Sequence, residues 1–140
     1  MNVVDANVAL QWSIKTPLSQ KAASLLRKDR RVIAPDVIIA EITNAWVMQV
    51  RLGNQDAELA RDSLEQLPRW FFELVPSMEL RVQAFDLALK LNHPTYDCFY
   101  LALALSRSVR LVTADARFRR KTEAAGYGKT VVALEEWEEG

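Results

Sequence analysis

The sequence has few of the features that mark several large classes of protein. Its one cysteine, Cys98, permits no internal disulfide, as expected for a protein of the reducing cytoplasm. No run approaches the ~20 apolar residues that a membrane helix needs. The N-terminus also lacks a basic segment followed by a long apolar one. We therefore expect a soluble cytoplasmic protein with no membrane segment.

The sequence also has no recognisable linker segment between domains and no excess of charge of one sign. Only four glycines occur, and no repeat, low-complexity tract or Pro/Ser-rich segment divides the chain. We predict a single domain over residues 1–140, since half of the residues are apolar and can form one core. Lys and Arg number 18, as do Asp and Glu, so the net charge is zero. That balance argues against coating nucleic acid by general electrostatics, although it allows a local phosphate site.

Short β-branched runs alternate with longer segments of helical periodicity. This alternation favours parallel strands joined by right-handed crossovers. We predict an α/β fold, a three-layer α/β/α sandwich with a mostly parallel sheet of four or five strands. The predicted strands lie at residues 3–4, 30–35, 71–75, 110–113 and 129–134. The predicted helices lie at residues 19–29, 37–52, 55–67, 78–91, 96–107 and 116–126.

Four acidic residues from four elements could converge on the C-terminal edge of the sheet, where α/β proteins collect their functional groups. Asp5 ends the first strand, and Asp115 follows the strand "RLVT". Asp97 lies in the first turn of a helix. Glu41 lies inside another helix among apolar neighbours, where a carboxylate is costly to bury unless it is paired or binds a metal. Asp5, Asp97 and Asp115 taken singly also fit a turn or a helix N-terminus, so only their convergence indicates a site.

Convergent carboxylates point to cation chemistry. Because like charges repel, a cluster of acids either raises some of its pKa values or recruits a cation. Oxygen ligands without a nearby set of Cys and His favour Mg²⁺ or Mn²⁺ over Zn²⁺. Such an ion lowers the pKa of bound water and neutralises a phosphodiester in its transition state. The acids therefore predict metal-assisted hydrolysis of a phosphodiester.

Four segments, in order along the chain, resemble the motifs of PIN-domain ribonucleases, specifically the VapC-type toxins of toxin–antitoxin pairs. They are "VVDANV" at residues 3–8, "PDVIIAEITNAW" at 35–46, "TYDCFYLALA" at 95–104 and "LVTAD" at 111–115. The resemblance implies an endoribonuclease dependent on Mg²⁺ (or Mn²⁺), the toxin of a type II toxin–antitoxin system. It also implies an RNA substrate, a homodimer and a small antitoxin protein that blocks the active site.

The resemblance also assigns roles to individual residues. The implied catalytic acids are Asp5, Glu41, Asp97 and Asp115. Of these, Asp5, Asp97 and Asp115 would hold the metal, and Glu41 would shape the pocket or orient the attacking water. The polar residues expected to orient the carboxylates are Asn7, Asn44 and Thr113. Many members carry another acid after the last aspartate, whereas this chain continues with the basic segment "RFRRK".

Some interpretations of the sequence stay open. Arg117, Arg119 and Arg120 of that basic segment either contact RNA phosphates beside the metal or form a solvated helix face. His93 precedes a proline in a turn, which disfavours a role as general base. A haloacid-dehalogenase-like phosphohydrolase also starts with a strand-end aspartate, but it needs a second aspartate where this chain has Asn7. A non-toxin PIN nuclease that processes RNA would carry the same motifs, whereas a PIN domain kept for partner binding commonly loses one or more of the acids, all four of which this chain keeps. The RNA target cannot be read from the sequence.

Overall fold

The computed structural model describes residues 1–27 and 30–138, and within them five parallel strands form one sheet. The strands, in chain order, are β1 (Asn2–Val4), β2 (Val32–Pro35), β3 (Glu73–Val75), β4 (Arg110–Thr113) and β5 (Val131–Ala133). The α-helices of the described residues are α1 (Ala6–Leu10), α2 (Ser19–Ser24), α3 (Val37–Arg51), α4 (Ala57–Gln66), α5 (Ser77–Leu91), α6 (Thr95–Arg107) and α7 (Ala116–Thr122).

The predicted α/β/α sandwich with a parallel sheet is confirmed. Each of the five predicted strand segments forms a strand, and all pairings are parallel. The helix predicted over 19–29 is shorter, because α2 ends at Ser24; residues 28 and 29 lie outside the described part. Between α1 and α2 the chain makes turns, and the sequence pattern did not predict α1, the short helix that Asp5 caps. The boundaries, more than the elements themselves, therefore differ from prediction.

The sheet is covered on both faces, as parallel sheets require. β1 lies at its centre, and Val3 and Val4 are fully buried there. Right-handed crossovers place the helices that precede β3 on one face and those that follow it on the other. Helix α6 packs against β1, β2 and β4, and α5 packs on α6. No helix of the described residues is long and apolar enough to cross a bilayer.

The strand order β3-β2-β1-β4-β5 places a topological switch between β1 and β4. From β1 the chain continues to β2 on one side, whereas from β4 it continues to β5 on the other. The connections diverge at this point, which opens a crevice at the C-terminal ends of the two strands. The residues that follow Val4 and Thr113 therefore meet at the edge of the sheet where α/β proteins bind ligands.

Helix α3, which contributes to this crevice, ends with a defined cap. The Gly53 amide donates to the Val50 carbonyl at 3.0 Å, and the Asn54 amide donates to the Gln49 carbonyl at 3.0 Å. Gly53 has a φ of 75°, the left-handed conformation that this type of helix end requires. Gly53 thus terminates α3 at the end of the helix that the sequence predicts over residues 37–52.

Candidate active site at the C-terminal edge of the sheet

The four acids that the sequence singles out line one cavity of about 210 Å³ at the C-terminal ends of β1 and β4. Asp5 comes from the β1–α1 junction, Glu41 from α3, Asp97 from α6 and Asp115 from the β4–α7 junction. A larger cavity of about 610 Å³ lies at the opposite edge, but none of its described lining residues is acidic. The chemistry of the walls, and not the volume, therefore identifies the smaller cavity as the candidate site.

Asp5 is held by both of its carboxylate oxygens. Its Oδ1 accepts a hydrogen bond from the Val8 amide at 2.9 Å and so caps α1. Its Oδ2 accepts from the Thr113 hydroxyl at 2.5 Å and from the Ala114 amide at 3.3 Å. Asp5 is thus both the helix cap and a wall of the cavity. The two roles that the sequence offers for this residue occur together.

Burial makes the Asp5 carboxylate hard to ionise. The residue is only 8% exposed. This burial raises its pKa from 3.8 to about 6, and the negative charge of Asp97 adds to the effect. The hydrogen bonds from Thr113, Val8 and Ala114 act in the opposite direction, because they stabilise the ionised form. A cation in the cavity would relieve the same electrostatic cost.

Thr113 connects two of the acids. Its hydroxyl donates a hydrogen bond to Asp5 Oδ2 and accepts one from the Asp115 amide at 3.0 Å. Asp115 in turn caps α7, since its Oδ1 accepts from the Phe118 amide at 3.1 Å. Thr113 is 1% exposed, so this bridge lies in the interior. The threonine therefore holds the junctions after β1 and after β4 together.

Glu41 is paired with a tyrosine that the sequence interpretation did not select. The Tyr100 hydroxyl donates to Glu41 Oε1 at 2.7 Å. Burial raises the pKa of Glu41, the Tyr100 hydrogen bond lowers it, and the Asp97 charge raises it. Burial and the nearby Glu41 carboxylate raise the pKa of Tyr100, so its hydroxyl stays protonated as a donor. The apolar helix face around Glu41 thus has a polar partner on α6.

Asp97 contacts the only histidine of the chain. His93 Nε2 lies 2.5 Å from Asp97 Oδ2, and the histidine side chain is 6% exposed. His93 and Tyr100 lie four residues before and three residues after Asp97. Asp97 and Tyr100 lie on one face of α6, whereas His93 lies in the turn before that helix. The spacing of Tyr100 from Asp97 is the signal by which the sequence could have indicated the tyrosine.

The remaining predicted residues are placed differently from the acids. Asn7 and Asn44 are exposed residues of the cavity wall, and within the described part of the chain neither hydrogen-bonds to a site carboxylate. The segment "RFRRK" forms α7, which leads away from β4. Arg119 there pairs with Glu123 at 2.9 Å, and Arg119 and Arg120 line a separate cavity of about 300 Å³. The structure therefore does not bring Arg117, Arg119 or Arg120 into the wall of the acidic cavity.

The possible ligand atoms in the cavity suit a hard divalent cation. They are carboxylate and amide oxygens, the ligands that Mg²⁺ and Mn²⁺ prefer. Buried Asp5, whose pKa is raised partly by Asp97, is the kind of carboxylate that a cation would stabilise in its ionised form. Over residues 1–27 and 30–138, no three Asp, Glu, His or Cys side chains already form an enclosing metal cluster. The acids therefore line the cavity without closing around its centre.

The fold and the acids that converge on its switch point define a class of nuclease-like α/β domain, and comparison with known sequences assigns the family. The sequence pattern of the PIN domain matches residues 3–124, so the chain belongs to the PIN domain family. The resemblance to PIN-domain ribonucleases of the VapC type, inferred from four motifs, is thereby confirmed.

Individual relatives agree with this assignment. Ribonuclease VapC3 of Pyrobaculum aerophilum is 27% identical over 124 residues, which cover 87% of this chain and 95% of that protein. The crystal structure of PAE2754 from Pyrobaculum aerophilum aligns with a TM-score of 0.71 at 23% identity, over 96% of this chain and 89% of that one. Mycobacterium tuberculosis VapC20, described as a toxin that cleaves the sarcin–ricin loop, aligns with a TM-score of 0.63 at 15% identity. That alignment covers 90% of this chain and 95% of VapC20. At these identities the two structures establish the fold.

Proposed function

We propose that this protein is a metal-dependent endoribonuclease and the toxin of a type II toxin–antitoxin pair. The observation that carries the proposal is the meeting of Asp5, Glu41, Asp97 and Asp115, from separate elements, in one cavity at the switch point of the sheet. Membership of the PIN domain family and the similarity to VapC3, named a ribonuclease, support it. A haloacid-dehalogenase-like phosphohydrolase would need a second aspartate at the position that Asn7 occupies.

In this mechanism Asp5, Asp97 and Asp115 would hold Mg²⁺ or Mn²⁺. When bound, the ion supplies an acidified water and neutralises the charge that develops on the phosphodiester. Thr113 keeps the Asp5 carboxylate pointed into the site by its hydrogen bond to Oδ2. Glu41, with one oxygen held by Tyr100, orients the attacking water with the other. Asn7 and Asn44 in the cavity wall would contact the RNA or the water shell.

Helix α5 supports the predicted homodimer, for which we propose this helix as the interface. One face of α5, with Leu80, Ala84, Leu87 and Leu91, is buried against the core. The other face carries apolar side chains that are 57–68% exposed: Met78, Val82, Phe85 and Leu89. These four residues follow one another at intervals of four, three and four positions, so they form one stripe. A helix that is apolar on both faces is stable when a second surface covers the exposed one, and a second copy of this chain is the proposed cover.

An apolar groove between α3 and α4 is the proposed docking site of the antitoxin. The groove has a volume of about 380 Å³, and its walls include Trp46, Val50, Ala60 and Leu64. Amphipathic helices bind in grooves of this kind by inserting apolar side chains. Helix α3 carries both this groove and Glu41, so a segment in the groove contacts a helix that contributes to the wall of the acidic cavity. We propose that such a complex forms in the cytoplasm and blocks the acidic cavity. We also propose that residues 1–140 act as one domain.

The activity is tested with purified protein and a structured RNA. Cleavage is expected with Mg²⁺ or Mn²⁺ and is expected to stop with EDTA. Asp5→Asn should abolish cleavage, and circular dichroism should show that the variant keeps its fold. The control, Asp62→Asn, changes an exposed acid on α4 and should cut like the parent protein. RNA that stays intact with folded protein and every divalent metal would contradict the proposal.

The toxin role needs a separate test. Expression of the protein alone should arrest growth, and co-expression of a short neighbouring reading frame that encodes an antitoxin should restore it. Cleavage in vitro without growth arrest, and without such a neighbour, would instead indicate a non-toxin PIN nuclease that processes RNA. Sequencing the 5′ ends of RNA cut after induction would identify the target.

A further inference from the structure

His93 lies between an acid of the candidate site and a lysine from the next helix. Its Nε2 is 2.5 Å from Asp97 Oδ2, and its Nδ1 is 3.3 Å from Lys121 Nζ. Lys121 lies on α7, and the same Nζ donates to the Asn92 carbonyl at 2.8 Å. Both ring nitrogens of the histidine therefore have a polar partner, one on each side.

The chemistry of the two partners determines which nitrogen carries the proton. The lysine ammonium has donors only, so the His93 nitrogen that faces it, Nδ1, is an acceptor. The other nitrogen, Nε2, then carries the hydrogen and donates it to the Asp97 carboxylate, which accepts. The contacts thus place a hydrogen on Nε2 and an acceptor at Nδ1, and they give a chain of donors that runs from Lys121 through His93 to Asp97.

The surroundings of His93 hold its ring in place. The side chain is 6% exposed and packs on the Phe118 ring, with 4.8 Å between the ring centroids. The His93 amide donates to the Ala88 carbonyl at 3.1 Å, which anchors the turn at the end of α5. The preceding residue, Asn92, has a φ of 48° and takes the left-handed conformation that reverses the chain there. The sequence indicates this turn only by a proline. In the structure the turn and its contacts hold the imidazole in one position.

His93 does not belong to the wall of the acidic cavity, so it would not touch the substrate or the reacting atoms. It acts on Asp97 alone. One carboxylate oxygen, Oδ2, is bound by the histidine. The other, Oδ1, accepts no hydrogen bond from the described residues and is available to a ligand. An isolated ion pair on the surface would give no such constraint, because it exchanges freely with water.

We propose that His93 and Lys121 are positioning residues that fix the orientation of the Asp97 carboxylate for the metal. This inference rests on the proposed metal-dependent function. A partner that orients a ligating side chain typically changes metal affinity by about 10- to 100-fold when it is removed. The role differs from general-base catalysis, since the histidine proton stays on Nε2 throughout the reaction.

The first test is the tautomer in the metal-free protein. Because His93 is the only histidine, a two-bond ¹H–¹⁵N correlation spectrum of the imidazole contains one ring and needs no assignment by mutation. The expected pattern is that of the Nε2–H tautomer. Lys121→Met should keep the hydrogen on Nε2, because Asp97 still accepts it, but should change the chemical shift of Nδ1, whereas Lys121→Arg should keep the parent pattern. An Nδ1–H pattern in the parent protein would overturn the proposal.

The second test is metal affinity, measured as Mn²⁺ binding by electron paramagnetic resonance. His93→Leu should weaken Mn²⁺ binding by about 10- to 100-fold. His93→Gln, which keeps an N–H donor at a similar distance, should recover most of the affinity and of the RNA cleavage. Thermal unfolding of both variants checks that they fold. Equal loss in the two variants, or parent-like binding by His93→Leu, would contradict the positioning role.

These outcomes separate this inference from the function on which it rests. If the parent protein binds Mn²⁺ and His93→Leu does not, but RNA stays intact, the nuclease proposal fails and the positioning role holds. If the parent protein cuts RNA and His93→Leu cuts and binds Mn²⁺ equally well, only the positioning role fails. If the parent protein binds no Mn²⁺, both are overturned.

Discussion

Asp5 shows how one residue can serve the fold and the site at the same time. Its Oδ1 caps α1, while its Oδ2 is held by Thr113 at the end of the neighbouring strand. The cap fixes the direction of the carboxylate, and burial keeps water away from it. The Asp5 carboxylate is therefore well oriented, but its ionised form is electrostatically unfavourable unless a cation binds.

That cost predicts a pH dependence of stability in the metal-free protein. The pKa of Asp5 is raised from 3.8 to about 6 in the folded state, so the ionised form is the disfavoured one. The contribution of Asp5 to the free energy of unfolding therefore falls as the pH rises from about 4 to 6, and then levels off. Asp5→Asn removes this penalty and should raise the free energy of unfolding at pH 7.5, in EDTA, by about 1–3 kcal/mol.

Urea denaturation of both proteins at pH 4 and pH 7.5 checks this prediction. At pH 4 the two should differ little, because folded Asp5 is then protonated. Added Mn²⁺ should stabilise the parent protein and leave Asp5→Asn unchanged. A variant that is less stable than the parent at pH 7.5 in EDTA would show that the lost hydrogen bonds outweigh the relieved charge.

Tyr100 gives a second prediction at the scale of single residues. Tyr100→Phe removes the donor to Glu41 Oε1 and leaves a partly buried carboxylate without it. The expected loss of stability is about 1–2 kcal/mol. The pKa of Glu41 should rise further, so the acidic limb of the pH–rate profile should move to higher pH. RNA cleavage as a function of pH measures this shift, and an unchanged limb would exclude Glu41 from the rate-determining ionisation.

Some of these residues could be predicted from the sequence and others could not. Asp5 and Asp115 follow buried strands, and parallel strands end at one edge, so their proximity follows from the pattern. The contacts of Tyr100 with Glu41 and of His93 with Lys121 join residues that are distant in the sequence, and one sequence does not show that they meet. The basic segment after Asp115 was misleading, because the cap at Asp115 starts a helix that carries Arg119 away to pair with Glu123.

At the scale of elements, the end of α3 depends on one glycine. Gly53 has a φ of 75°, and a Cβ built on it meets no atom within 4 Å. Gly53→Ala therefore causes no clash, but it forces alanine into the left-handed conformation and should cost about 1–2 kcal/mol. Gly53→Asn should cost less, because asparagine tolerates this conformation. Urea denaturation ranks the three proteins, and equal stability of all three would contradict the conformational argument.

The sequence was more informative about strands than about helix ends. All five strands are short and mostly apolar, and each formed within its predicted segment. Helix boundaries depend on local caps and on the residues that follow. Helix α4 ends at Gln66, and the chain continues as a 3₁₀ turn, Leu67–Trp70, since Pro68 cannot continue the α-helical hydrogen bonding. The periodicity alone could not show this change of helix type.

At the scale of the whole molecule, the apolar stripe on α5 predicts the state of association. Phe85→Glu places a charge in the middle of the proposed interface, where Phe85 is 57% exposed in the single chain. We expect the parent protein to be a dimer and the variant a monomer by size-exclusion chromatography with light scattering. Leu59→Glu, on an exposed apolar residue of α4, is the matched control and should remain a dimer. A monomeric parent protein would contradict the proposed interface.

The position of β1 has a consequence for synthesis on the ribosome. β1 is the first of the five described strands to be made, yet one of its two neighbours is β4, which spans Arg110–Thr113 and is the fourth. Asp5 likewise meets Thr113 across 108 residues of chain. The acidic cavity cannot be complete in a nascent chain until residue 115 has left the exit tunnel. If the proposed function holds, the nascent nuclease therefore stays inactive on the ribosome until β4 and Asp115 have emerged and joined β1.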